Sequence, residues 1–309
     1  MDLELLLNTV ARALAFSTPL LWAALGEIYT ERSGVVNLGV EGMMIIGAVV
    51  GFIVGQATGL PYIALLAAAL AGSLMGLLHA FISITLNANQ FVSGLALTIF
   101  GLGLSGLLGR DYVGKPLAVP MTSLTLPGLA ELPLLGPALF TNQKLLTYLG
   151  LLVALLLWFI LYYTRLGMTL RSVGESPQAA DTAGINVARV RYLAVTFGGL
   201  MAGIGGAYLS LAYRPSWGEG MTNGMGWIAL ALTIFALWDP LRAVGASFLF
   251  GAFFYLGFTK LQTVIAPELL TMMPYVMTIV ALTLIGLRQG KRAFGAPAAL
   301  GLPYRRGER

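Results

Sequence analysis

Long unbroken apolar stretches constrain this chain more than any other feature. They run at roughly 12–27, 34–55, 61–84, 90–108, 145–163, 192–213, 223–238, 241–259 and 271–287, separated by polar or Gly/Pro-containing breaks as short as Asp239-Pro240. A helix needs about 20 apolar residues to cross a bilayer, and 58% apolar residues in a chain of 309 leave room for about nine such helices. A transmembrane β-barrel would show alternating segments of about ten residues. These stretches are instead continuous and rich in Leu, Ala and Gly. A helix satisfies its own backbone polar groups in lipid, so the expected fold is an all-α polytopic membrane protein of about nine spans.

Composition removes most soluble chemistries. Charged residues make up 10% of the chain, there is no cysteine, and His79 is the single histidine. Thiol catalysis and thiolate metal sites are excluded by the absence of cysteine, and a single histidine argues against a His-ligated metal centre or a Ser-His-Asp triad. No Gly-x4-Gly-Lys-Ser/Thr phosphate loop is present, so ATP-driven work would need a partner that binds the nucleotide. Nothing points to nucleic acid as a partner.

Lys and Arg set the expected orientation. Loop 164–191 carries Arg165, Arg171, Arg189 and Arg191. Tail 288–309 carries Arg288, Lys291, Arg292, Arg305, Arg306 and Arg309. With both inside and nine spans, twelve basic residues fall inside and six outside, with the N-terminus outside and the C-terminus inside. The acidic start (Asp2, Glu4) lacks the basic region of a cleaved signal peptide, so the first span is expected to be retained. The expected domain is one transmembrane unit over 1–309. Its long outer loop, 109–144, contains Pro116, Pro120, Pro127, Pro133 and Pro137. That loop still carries Leu134, Leu135, Leu139 and Phe140, and is read as ordered and packed.

Candidate path residues come from polarity and depth. A carboxylate at Glu41, about seven residues inside the second span, costs roughly 2.5–3.5 kcal/mol at a helix centre. It is either functional or held in a structural ion pair or hydrogen bond, with Arg32 as a candidate partner. The run from Ser33 to Gly39, containing Asn37, is too polar and Gly-rich for a plain lipid-facing helix. A broken or re-entrant segment lining a cavity fits it better. Asn223-Gly224 opens a later span running the opposite way, an echo of Asn37 to Glu41 that suits an inverted repeat. Trp227 follows this opening. Packing against a neighbouring helix is its leading reading, and stacking on a planar ligand is the alternative. His79 is read as a hydrogen-bonded interhelical histidine. The glycines of Gly198-Gly199 and Gly203 to Gly206 suit close helix packing.

The inner loop holds Gly174-Glu175-Ser176-Pro177-Gln178-Ala179-Ala180-Asp181-Thr182-Ala183-Gly184. Ser176 suits an N-cap, Pro177 the first helical position and Gly184 the position past the end. The spacing predicts a short helix outside the membrane, with small side chains at Ala179, Ala180 and Ala183.

Gln178-Ala179-Ala180-x3-Gly184 resembles the Glu-Ala-Ala-x3-Gly coupling motif of ABC-importer permeases, with Gln in place of Glu. The run Glu31 to Met44 is similar to the early signature of nucleoside and simple-sugar permeases, within the ribose and branched-chain amino-acid permease class. Pro133 to Leu139 and Gly226 to Ala231 resemble the same class. The resemblance implies a multi-pass subunit of a bacterial inner membrane. It also implies a second permease (a paralogue or an identical copy), cytoplasmic ATPase subunits that bind the ATP, and an extracellular substrate-binding lipoprotein. No cofactor of its own is implied. Gly174, Glu175, Ser176, Pro177, Ala179, Ala180, Asp181 and Gly184 would then contact the ATPase. Asn37, Glu41, Asn223 and Trp227 would face the path. Nucleosides are the expected cargo, with ribose or another simple sugar as the alternative. An ion-coupled transporter is disfavoured because the spans offer little beyond Glu41 and His79 to carry an ion. A membrane-embedded enzyme lacks a catalytic cluster, and a channel lacks a filter motif.

Overall fold

The apolar stretches fold as helices, and their boundaries follow local capping. A computed structural model describes residues 3–133, 135–256, 266, 269, 272–273, 275–280, 283 and 295–306. The long elements are α1 (Leu3–Arg32), α2 (Val40–Thr58), α3 (Pro61–Ala80) and α4 (Gln90–Gly109). After a short α5 (Leu135–Leu139) come α6 (Leu145–Tyr163), α7 (Arg165–Glu175), α8 (Pro177–Thr182), α9 (Val187–Tyr208), α10 (Met225–Phe235) and α11 (Pro240–Leu256). Among the described residues, six helical stretches are long and apolar enough to cross a membrane, while α10 and α11 are shorter apolar helices. The expected ninth span, 271–287, lies partly outside the described residues, and 257–265 and 284–294 lie wholly outside them.

The first helix runs much further than its apolar stretch of 12–27 suggests. Arg12, Glu27 and Glu31 interrupt the hydropathy but not the helix, because Glu27 and Glu31 find tertiary partners. Asn37 Nδ2 donates to Glu27 at 3.1 Å, and the Trp238 indole N–H donates to Glu31. Two helices end in a π-helical turn, Phe81–Thr85 after α3 and Leu209–Tyr213 after α9.

Helices α2, α3 and α9 form the centre, packed through glycines. A Cβ on Gly206 would lie 1.8 Å from the Met44 carbonyl oxygen, and one on Gly72 would lie 2.2 Å from that of Gly199. Such backbone contact needs small residues, as in membrane helix pairs generally. His79 is fully buried, with Nδ1 3.0 Å from Ser93 Oγ and Nε2 3.0 Å from the Val36 carbonyl. Both ring nitrogens are thus engaged in an interhelical link, as read from the sequence.

The bundle has two distinct ends. Segment 109–144 gathers at the Arg12 end. Its β1 (Ser123–Leu124) pairs antiparallel with β2 (Gln143–Lys144). The Leu117 N–H donates to Pro215, the Ala118 N–H to the Gln56 side chain, and Gln143 Nε2 to the Ala11 carbonyl. The long loop is therefore ordered and packed. At the opposite, Arg32 end, the loop carrying α7 and α8 meets residues 295–306.

Candidate functional site

Two places bring the sequence candidates together: a break in the bundle around Glu41, and the α7–α8 segment.

Between α1 and α2 the chain leaves the helix over Ser33 to Gly39, the expected break. The Asn37 side-chain oxygen accepts from the Gly39 N–H at 3.0 Å. Helix α2 therefore restarts at Val40, and Glu41 stands in its first turn rather than mid-helix. Far along the chain, Asn223 (φ 45°) and Gly224 (φ 82°) turn into α10. The starts of the two helices meet. Glu41 Oε1 accepts from Thr222 Oγ1 at 2.5 Å and from the Gly224 N–H at 2.9 Å, and Oε2 accepts from the Gly226 N–H at 2.6 Å. The carboxylate of one helix thus caps the other, where unsatisfied N–H groups and the helix dipole favour negative charge. Helix α10 has 11 residues and is about 16 Å long. Its far end, at Leu237 and Trp238, accepts hydrogen bonds from the Arg32 guanidinium. Arg32 is therefore engaged one helix length away, and the partner of Glu41 is the α10 N-terminus instead.

The four path candidates separate. Asn37 is fully buried between Glu27, Gly39 and Met43. Glu41 is 4% exposed and saturated with donors. Trp227 is half-buried and packs on the core. Asn223 lines a cavity of about 650 Å³ at the Arg12 end. Arg12, Phe16, Tyr213, Arg214 and Tyr255 share that wall. Sequence reading missed these residues because they come from three distant segments.

The α7–α8 segment takes the capped helical form that its residues predict. Ser176 Oγ accepts from the Ala179 N–H at 3.3 Å, Pro177 is the first residue of α8, and Gly184 has φ +83°. The direction of one residue differs from expectation. Ala180 is 3% exposed and packs with Val173 and Val187, so it anchors α8 to its own chain. The outer face of α8 is Gln178, Ala179 and Thr182, continued by Ala183 and Gly184.

Residues 295–306 run alongside as a strap that sequence reading did not foresee. The Ala299 N–H donates to Gly174 and the Gly301 N–H to Gly34. Arg191, 2% exposed, donates to the carbonyls of Ser33 and Leu302. Arg306 pairs with Asp181 at 3.3 Å. Gly174 presses on the end of α1, where a Cβ would lie 2.1 Å from the Arg32 carbonyl oxygen. The α7–α8 segment is thus joined, directly and through the strap, to the chain that leads into the Ser33–Gly39 break.

Among the described residues no group of three His, Cys, Asp or Glu side chains could hold a metal ion.

Comparison with known proteins gives a consistent outcome. Residues 9–282 match the model of the family described as branched-chain amino acid transport system / permease component. The protein TsgC13 of Haloferax volcanii, whose name describes a glucose ABC transporter permease, is 38% identical over 97% of both chains. The guanosine ABC transporter permease protein NupQ of Bacillus subtilis is 37% identical over 100% of both. The nucleoside ABC transporter permease protein NupC of Lactococcus lactis is 36% identical over 96% of both. This chain is accordingly a multi-pass membrane protein that belongs to the branched-chain amino acid transport system / permease component family of ABC transporters.

Proposed function

We propose that this chain is a membrane-spanning permease subunit of an ATP-driven importer of nucleosides. The observation that carries the coupling half of this reading is the α7–α8 segment. A short helix, capped at both ends and anchored by Ala180, presents Gln178, Ala179 and Thr182 outward. The chain has no phosphate loop, so the nucleotide belongs to a partner that this face contacts. The α8 end is then cytoplasmic and the cavity end external. Force on α8 reaches the Ser33–Gly39 break through Gly174 and Arg191. The Glu41 junction, where α2 and α10 meet, is the element that such force would rearrange. A second permease, a paralogue or an identical copy, completes the path, and an external binding lipoprotein delivers the cargo.

Nucleoside cargo is supported by the full-length similarity to NupQ and NupC. Glucose, a simple sugar, is the second reading because TsgC13 is equally similar. Co-purification tests the assembly. Affinity-tagged chain from its native membrane is expected to carry an ATPase subunit and a second permease. Recovery of the chain alone, with uptake abolished by collapse of an ion gradient, would contradict the proposal.

A further inference from the structure

The strap does more than brace α8, because it also walls the face that α8 turns outward. Two grooves border the short helix. On the Pro177 side, a groove of about 330 Å³ is lined by Pro177 and Gln178 together with Leu302 and Pro303. On the Gly184 side, one of about 370 Å³ is lined by Asp181 and Gly184 together with Tyr304 and Arg306. Each groove thus takes part of its lining from the α8 segment and part from the tail. Tyr304 packs on the Val173, Ala180 and Val187 cluster that anchors α8, so helix and tail share one anchor. Leu302 is 57% exposed, a large apolar side chain on a segment outside the apolar spans. A body seated on Gln178 therefore meets Leu302 and Pro303, which line the same groove.

The tail is also bonded to the break in the bundle. The Gly301 N–H donates to the Gly34 carbonyl at 3.1 Å. Arg191 donates to the carbonyls of Ser33 and Leu302, each at 3.2 Å. A route from Leu302 to Ser33 thus runs through one guanidinium and bypasses α7.

We infer that residues 302–306 form a second contact with the ATPase subunit, beside α8, and that the turn before them passes force straight to the Ser33–Gly39 break. The inference rests on the proposed function above and names a further part of the ATPase interface within it. Leu302 and Pro303 supply an apolar centre, with exposed Arg305 and Arg306 at the rim. The matching ATPase surface is apolar opposite Leu302 and acidic at its edge.

The test uses the complete transporter in native membranes. The photo-crosslinker benzoylphenylalanine replaces Gln178 in one variant and Leu302 in another. Both are expected to cross-link to the ATPase subunit. In a second measurement, purified ATPase subunit is titrated onto inside-out vesicles that carry the chain. Leu302→Asp is expected to weaken its association roughly tenfold, because an unpaired carboxylate loses water at the contact. Leu302→Met keeps the apolar contact and is expected to bind as wild type does. ATPase cross-links from position 178 but not from 302, or association unchanged by Leu302→Asp, would overturn the tail contact and leave the α8 reading standing. No ATPase cross-link from either position would overturn the underlying reading and the tail contact with it.

Discussion

The backbone N–H of Gly226 donates to the Glu41 carboxylate at 2.6 Å, and a Cβ on Gly226 would lie 2.4 Å from the Cα of Glu41. The α2 and α10 starts are therefore in backbone contact, locked by one side chain with three donors. Glu41→Gln keeps the shape but removes the charge and one acceptor, leaving a buried N–H without its partner. The expected cost is about 2 kcal/mol, read as a lowered unfolding temperature of the detergent-purified complex. Gly226→Ala is expected to cost at least as much, because the added methyl meets backbone that cannot swing away. Unchanged unfolding temperatures in both would show that the junction does not hold the helices.

Gly174 makes a second contact that tolerates no side chain. Gly174→Ala places a methyl against the Arg32 carbonyl and pries α7 from the end of α1. Overpacking of this kind costs about 1–3 kcal/mol. The expected phenotype is ATP hydrolysis that continues while uptake falls, since the strain falls between the proposed ATPase contact and the break. Uptake and hydrolysis that fall in step would contradict this.

The strap depends on Arg191. Arg191→Gln shortens the side chain and loses its hydrogen bonds to Ser33 and Leu302, each worth about 1.5–3 kcal/mol for a charged donor. Residues 295–306 are then expected to be cleaved earlier in limited proteolysis, and uptake to fall. An unaltered cleavage pattern would remove Arg191 from this role.

Topology can be read directly because the chain has no cysteine. Gln178→Cys places a thiol on the exposed face of α8. Membrane-impermeant maleimide is expected to label it in inside-out vesicles and not in intact cells. Labelling from outside would reverse the assigned orientation.

Local chemistry was legible in the sequence, and long-range pairing was not. Ser176, Pro177 and Gly184 mark the ends of α8 because caps act within a few residues. The Ser33–Gly39 break was visible from its glycines and Asn37. The partner of Glu41 was not, because Thr222 to Gly226 lie more than 180 residues away and their backbone N–H groups carry no compositional signal. Arg191 was counted as a loop charge, yet it is buried because two carbonyls from distant segments solvate it. From the sequence, Ala180 is a small residue expected at the ATPase contact. Its direction depends on Val173 and Val187, which helix periodicity in a six-residue element cannot resolve.

The central claim is ATP-driven nucleoside import through this chain, and uptake in a defined system tests it most directly. The complete complex is reconstituted with its binding partner, and radiolabelled guanosine entry is followed with ATP supplied on the α8 side. Saturable uptake that requires ATP and survives collapse of every ion gradient is the predicted result. Uptake that proceeds without ATP and vanishes with an ion gradient, or that admits glucose while guanosine is inert, would contradict the account.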